Sequence, residues 1–170
     1  MNLLQKNTLI ITLKIDDESQ VFFNAQRKAY FPAYANFAEA HLTLFHKLPN
    51  DNKLIFETLE NSMNIKAFKM LVKSIINNKN FIAYEIDSEV LQNLHNNMQI
   101  DFANYINKKD KEILWPHITI QNKATVYKAQ KTHQKLLETF IPFNITAIGI
   151  SVWYYNKKCW QKFKDYLFLN

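Results

Sequence analysis

The sequence predicts an α+β protein of two lobes, with two mainly antiparallel sheets lining a central cleft and helices on the outside. Three observations lead there. Segments that alternate apolar and polar residues, read as strands, take turns with segments of helical spacing. The order of those segments occurs twice. A short strand with a polar face stands at the same place in each copy: HLTLFHK, His41 to Lys47, and HITIQNK, His117 to Lys123, agree at their first, third and seventh positions. The two histidines lie a little under half of the 170 residues apart. A duplicated unit accounts for both better than coincidence does.

The first copy opens with the strand TLIITLKI, Thr8 to Ile15. The helix DESQVFFNAQRKAYF follows; Asp16, Asp17 and Glu18 stand at or just before its positive end, and Phe22, Ala25 and Ala29 form its expected apolar stripe. HLTLFHK comes next, then a turn at Pro49-Asn50-Asp51 and a helix bearing Leu54, Ile55, Leu59 and Met63. KAFKMLVKSII and FIAYEI read as strands joined by the turn Asn77 to Asn80, and FIAYEI opens the second copy. Ser88 is the expected N-cap of a helix carrying Leu91, Leu94, Met98, Phe102 and Tyr105. PHITIQNK, a helix from Thr125 to Phe140, the strand NITAIGISVWYY, the turn NKKC and the strand WQKFKDYLFL complete the chain. The repeat divides residues 1–170 into halves of about 8–79 and 80–170. No Gly/Ser-rich or Pro-rich linker parts them, so the expectation is one bilobal domain.

Composition narrows the class. With 48% apolar and 14% aromatic residues the chain can build a core and is not a disordered segment. A net charge of +6 favours an anionic partner such as a phosphate ester or a nucleic acid, with Arg27, Lys28, Lys157 and Lys158 as groups that could guide it. The lone Cys159 has no internal disulfide partner, which suits a reducing cytoplasm, and it reads as an incidental thiol in a turn. The apolar run at the N-terminus is interrupted by Lys6, Asn7 and Lys14, which argues for a strand over a signal peptide. Nowhere is there an apolar run of about 18 residues, the length a membrane helix needs. The reading is a cytoplasmic protein with no membrane partner.

The chemistry lies in the repeated strand. Residues i, i+2 and i+4 of a strand share a face, so His117, Thr119, Gln121 and Lys123 are expected together, opposite Ile118 and Ile120. His41, Thr43 and Lys47 repeat the arrangement, opposite Leu42 and Leu44, while His46 has the other parity and is expected to face away unless the strand ends before it. Two histidines across one cleft suit concerted proton transfer, because near pH 6.5 one imidazole can accept a proton while the other donates. Thr43 and Thr119 can donate to phosphoryl oxygens, and Lys47 and Lys123 can add charge at the strand ends. Such a site calls for no metal and no cofactor. His95 and His133, on helices, read as structural or exposed. Trp115, Trp153, Tyr84 and Tyr154 are candidates for stacking on a base, with core packing as the alternative reading of each.

On these motifs the chain resembles the two-histidine (2H) phosphoesterase superfamily and, within it, the bacterial 2'-5' RNA ligase family with its RNA 2',3'-cyclic phosphodiesterases. The resemblance rests on HLTLF with His41 and Thr43 and on HITIQ with His117 and Thr119, and extends through FNAQRKAYFP, AHLTLFHKLP, WPHITIQNK and SVWYYNKKCW. It implies the bilobal α+β fold, no metal, and a monomeric enzyme acting on RNA ends or nucleotides with a 2',3'-cyclic or 2'-5' phosphodiester. One of His41 and His117 would activate water against the phosphorus of a cyclic phosphate. The other would protonate the departing ribose oxygen, leaving a 2'-phosphate, with Thr43 and Thr119 on the phosphoryl oxygens. Which histidine is the base stays open. Some relatives carry an arginine just after the second motif; here Gln121-Asn122-Lys123 stands in its place. Ligation of RNA through a 2'-5' bond is implied by the family name alone. Two other readings stay open: a phosphodiesterase of another substrate, such as a cyclic oligonucleotide, an ADP-ribose cyclic phosphate or a tRNA-splicing end, and a non-catalytic module that binds RNA ends or phosphate.

Overall fold

A computed structural model describes residues 8–156 and 159–169; Lys157, Lys158 and the side chains of Asn156 and Cys159 lie outside the described part. The elements run β1 (Thr8–Ile15), α1 (Asp17–Tyr30), β2 (Leu42–Pro49), α2 (Lys53–Asn61), β3 (Phe68–Asn78), β4 (Phe81–Asp87), α3 (Glu89–Asp101), β5 (His117–Gln121), α4 (Val126–Leu137), β6 (Phe143–Asn156) and β7 (Cys159–Leu167). Helix starts follow local chemistry. Asp16 caps α1 by accepting from Ser19 N at 2.9 Å, and its second oxygen accepts from Thr146 N of β6 at 2.8 Å. Burial alone would raise the Asp16 carboxyl pKa, but the bonds from Ser19 and Thr146 outweigh it and hold the group below its ordinary value. Ser88 caps α3 through Leu91 N and Thr125 caps α4 through Lys128 N. Both helices end before the aromatic residues expected in them: α3 stops at Asp101 and α4 at Leu137, yet Phe102 is fully buried and Tyr105 and Phe140 pack on the core from the following loops.

The face of α1 differs from expectation. Ser19, Phe23 and Arg27 point inward, while Phe22, Ala25 and Ala29 are exposed. Polar anchors decide the rotation. Gln20 Nε2 donates to Ala40 O, Asn24 Oδ1 accepts from Ala40 N, and Arg27 bonds Asn36 Oδ1 and Thr119 O. Those bonds fix α1 over β5 and over the loop that leads into β2, and the apolar stripe turns outward.

Every strand pairing is antiparallel, in a seven-stranded sheet of order β2-β1-β6-β3-β4-β5 with β7 also on β6. The two expected sheets are the two arms of this one sheet. They join because β6, 14 residues long, is shared: residues 147–155 pair with β1, residues 143–147 with β3, and β7 runs beside residues 149–156. The order reads the same when β1, β2 and β3 exchange with β4, β5 and β6. The third strand of each set thus lies in the other arm. The path curls, so that β2 and β5, its opposite ends, approach within 8 Å at Cα. One core runs through both arms and includes Phe23, Phe45, Phe102, Leu42, Leu44, Ile118 and Ile120. Among the described residues no helix is long and apolar enough to cross a membrane.

Gly149, the single glycine of the chain, lies where β6 meets β7. A Cβ there would overlap Tyr166 O and stand 3.0 Å from Leu167 Cα, both backbone atoms that cannot swing aside. Gly149→Ala is expected to cost about 1–3 kcal/mol, as overpacking of a tight site does. Thermal unfolding checks it: a drop of several degrees in Tm is expected, and an unchanged Tm would show that β7 can move off β6 freely.

Candidate active site

Two β-bulges shape the site. In β2 the register passes from Thr12↔Thr43 to Ile11↔Phe45, leaving Leu44 as an extra residue. In β5 it passes from Ala83↔Thr119 to Ile82↔Gln121, leaving Ile120 extra. The bulges stand at equivalent places of the two motifs and reverse the alternation just beyond them, in β2 as far as His46, before a second register shift between Phe45 and Leu48. Leu44 and Phe45 are therefore both buried, as are Ile120 and Gln121. Gln121 does not share the face of His117 and Thr119, as simple alternation predicted. It is buried, and its amide donates to Tyr30 O at 3.0 Å and Thr132 Oγ1 at 3.2 Å. His46, by the same reversal, turns to the motif side and lines a recess with Thr43 and His117. Just past the bulges Lys47 and Lys123 both take left-handed backbone, φ 56° and 59°, and stand exposed outside both recesses described below.

The two histidines are held alike. His41 Nδ1 donates to Glu39 O at 2.6 Å, and His117 Nδ1 donates to Trp115 O at 2.7 Å. A carbonyl oxygen only accepts, so Nδ1 carries the proton in both rings, and Nε2 is the nitrogen left for chemistry. Each ring also leans on an indole: His41 on Trp160 at 4.6 Å between centroids, His117 on Trp115 at 4.2 Å. Burial pushes the His41 imidazole pKa down to about 4 against the opposing bond to Glu39 O, with help from the charges of Arg27, His117 and His46. His117 is lowered as well, first by burial and then by Lys109 and His46. The charge of His117 reaches His41, and that of His46 reaches both rings.

A recess opens beside each ring. The one at His41, about 480 Å³, is walled by Phe37, Trp153 and Trp160 and includes Thr12, Lys14 and Lys162. The one at His117, about 440 Å³, is walled by Phe81, Ile113 and Trp115 and includes Thr43, His46 and Lys109. Thr43 thus stands across from its own motif's histidine, in the recess of His117. Thr119 is half-buried and lines neither recess. Of the four aromatic candidates, Trp115 and Trp153 lie in the recesses, and Trp153 Nε1 donates to Thr12 Oγ1 at 2.9 Å. Tyr84 does not: it is buried among Phe22, Phe23 and Phe140, where no base can reach, and burial pushes its hydroxyl pKa up to about 12. Tyr154 packs on Phe163 at 4.9 Å and on the core, also away from the recesses.

Each motif strand is clasped by a helix from the other half of the chain. Arg27 of α1 donates through Nη1 to Thr119 O of β5 at 2.8 Å, while His95 of α3 donates through Nε2 to Leu44 O of β2 at 3.1 Å. His133 of α4, structural as expected, donates to Ile75 O. Arg27 is buried with no ion-pair partner among the described residues, and burial lowers its guanidinium pKa to about 10. It also sits over the Phe31 ring at 4.2 Å. Among the described residues no group of three or more His, Cys, Asp or Glu side chains is placed to hold a metal ion.

An antiparallel sheet that brings two His-x-Thr strands to one cleft defines the class: this is a 2H phosphoesterase fold. The chain belongs to the 2'-5' RNA ligase superfamily, whose sequence pattern matches residues 15–158. Its fold is similar to that of TT0787 of Thermus thermophilus, with a TM-score of 0.62 at 12% identity over 94% of this chain and 97% of that one. It is similar also to E. coli LigT: the complex with NADP+ gives a TM-score of 0.60 at 12% identity over 95% and 98% of the two chains. The complex of LigT with 3'-AMP gives 0.60 at 13% identity over 96% and 99%. No curated protein matches the chain in sequence.

Proposed function

We propose that the protein is a metal-independent phosphodiesterase that opens 2',3'-cyclic phosphates, on RNA ends or nucleotides, to 2'-phosphates. The observation that carries this reading is the identical tethering of His41 and His117, each through Nδ1 to the carbonyl two residues before it. Water attacks phosphorus as its proton passes to Nε2 of one ring. The bond from phosphorus to the 3' oxygen breaks, and that oxygen takes a proton from Nε2 of the other ring. Thr43 and Thr119 donate to the phosphoryl oxygens, while Lys47 and Lys123 add positive potential from outside. With an RNA 5'-hydroxyl in place of water as the nucleophile, the same step joins RNA ends through a 2'-5' bond. LigT, crystallised with phosphate and with 3'-AMP, has the same fold and supports a nucleotide or RNA end as the substrate class. The duplicated halves, about 8–79 and 80–170, belong to the same reading, since the site is made of one strand from each.

A second reading has its own observation. The recesses flank the histidine pair with similar volumes, and each has an aromatic wall. A phosphodiester with a nucleoside on either side, such as a 2'-5' linked or cyclic oligonucleotide, would fill both.

Hydrolysis of the four nucleoside 2',3'-cyclic monophosphates in EDTA, with products assigned by phosphorus NMR, tests the first reading. Its pH dependence is fixed by the site. The base must be neutral and the acid protonated, so kcat/KM is bell-shaped and reports the macroscopic pKa values of the pair. His41 is held at about 4 and His117 below its ordinary 6.5. The optimum is therefore expected on the acid side of neutrality, with the rate falling as pH rises past the value of His117 and falling again below about 4. An optimum at alkaline pH, or products that are all 3'-phosphates, would sink the proposal. The same depressed values imply that stability is lost as pH falls from 6.5 toward 4, because the unfolded chain takes up those protons first.

A further inference from the structure

His46 is the fifth residue after His41, and only the bulge at Leu44 brings it to the cleft. What holds it there is a buried acid from another part of the chain. Asp110, in the short 3-10 turn Lys109–Lys111 before β5, is 5% exposed. One of its oxygens accepts from His46 Nδ1 at 2.8 Å; the other accepts from His46 N at 2.7 Å and from Asn107 Nδ2 at 2.8 Å. Asn107 Nδ2 also donates to His46 O. The carboxylate is thus spent on orienting one imidazole. With Nδ1 committed, Nε2 is the ring edge left for the recess that His46 shares with Thr43, Lys109 and His117.

We propose that His46 is a third histidine of the site, a substrate-binding residue whose Nε2–H donates to a phosphoryl oxygen while Asp110 balances its charge. The inference rests on the reading of His41 and His117 as a phosphoester site, and it supplies a cation that the stretch after the second motif, Gln121-Asn122-Lys123, does not bring into either recess. The acidic group that also lines this recess, Glu112, is exposed at its rim, and Lys109 adds a second positive charge close to His117. Electrostatics agree with the placement. A charge on His46 helps to hold both His41 and His117 below their ordinary values, which places it within reach of both rings. An orienting carboxylate behind a histidine is how proteins fix a ring whose far nitrogen must meet a partner at a set angle.

Inorganic phosphate is the probe. Nitrogen-15 spectra of the imidazoles in the wild-type protein are recorded during a phosphate titration, and phosphate affinity is measured by calorimetry for wild type, His46→Asn and Asp110→Asn. The expected result is that the Nε2 signals of His46, His41 and His117 move along one binding curve. His46→Asn should then weaken phosphate binding by about tenfold or more, the loss of one charge-assisted hydrogen bond, with Asp110→Asn in between. If His41 and His117 respond while His46 does not, the proposal is overturned and the His46–Asp110 pair is only a clasp between β2 and the turn. If none of the three responds, the phosphoester reading fails with it. Should either variant fail to fold, the wild-type titration alone decides.

Discussion

Replacing either His41 or His117 with alanine is expected to reduce kcat for cyclic phosphate hydrolysis by about 10²–10⁴-fold, the range for losing one general acid or base. The argument is geometric before it is electrostatic. Both rings have spent Nδ1 on a carbonyl oxygen, so each offers one nitrogen, and neither can do the work of both. The double variant should lose little more than the worse single one, because the two proton transfers belong to one step. Stability should change only slightly, since both rings stand at the edge of the recesses against exposed or half-exposed indoles and not in the core. Rates for the four cyclic mononucleotides and thermal midpoints for both variants check this. A variant that keeps more than about a tenth of wild-type activity would remove that histidine from the mechanism.

Part of the fold was legible before it was known. The order of strands and helices and the cap at Ser88 follow from periodicity and local hydrogen bonding, whereas the sequence marks Asp16 and Thr125 only as lying at helix starts. What was not legible has a common cause. A bulge adds one residue without any local signature here, since Leu44-Phe45 and Ile120-Gln121 contain no glycine or proline. Alternation therefore placed Gln121 on the wrong face and sent His46 away from the cleft. The rotation of α1 was hidden for a related reason. Its inward side is set by tertiary bonds from Gln20, Asn24 and Arg27, and these overrule the stripe of Phe22, Ala25 and Ala29. Asp110 could be recognised only after the chain had folded, because its partner His46 is distant in sequence and close in space. The exchange of β3 and β6 between the arms is likewise a long-range fact: two copies of one unit do not say whether each closes on itself or on its twin.

Arg27→Met is expected to leave the fold nearly as stable as wild type and to cut kcat/KM by about 10²-fold, the loss that misplacing a reacting group by about 1 Å can bring. The two parts of this result have different origins. A lowering of the guanidinium pKa from 12.5 to about 10 corresponds to about 3 kcal/mol against the buried charge, and methionine removes that cost while filling similar space. Against this, Thr119 O loses its donor, which costs about 1–3 kcal/mol for a buried acceptor left unmade. The terms offset to within about 2 kcal/mol, so folding is not what Arg27 chiefly secures. Its bond to Thr119 O at 2.8 Å sets the backbone two residues from His117, and its charge is among those that hold His41 low. In the variant, Thr119 and His117 lose their anchor to α1, and the His41 pKa rises by the smaller share that the Arg27 charge holds, while burial, the main cause of its lowering, remains. The acid limb of the kcat/KM profile should therefore move to higher pH, a change that a merely structural residue would not produce. Arg27→Lys should not restore activity, because one ammonium cannot meet Asn36 Oδ1 and Thr119 O along the two directions that Nε and Nη1 reach together. A methionine variant with full activity and an unshifted acid limb would show that β5 holds its histidine without help from α1.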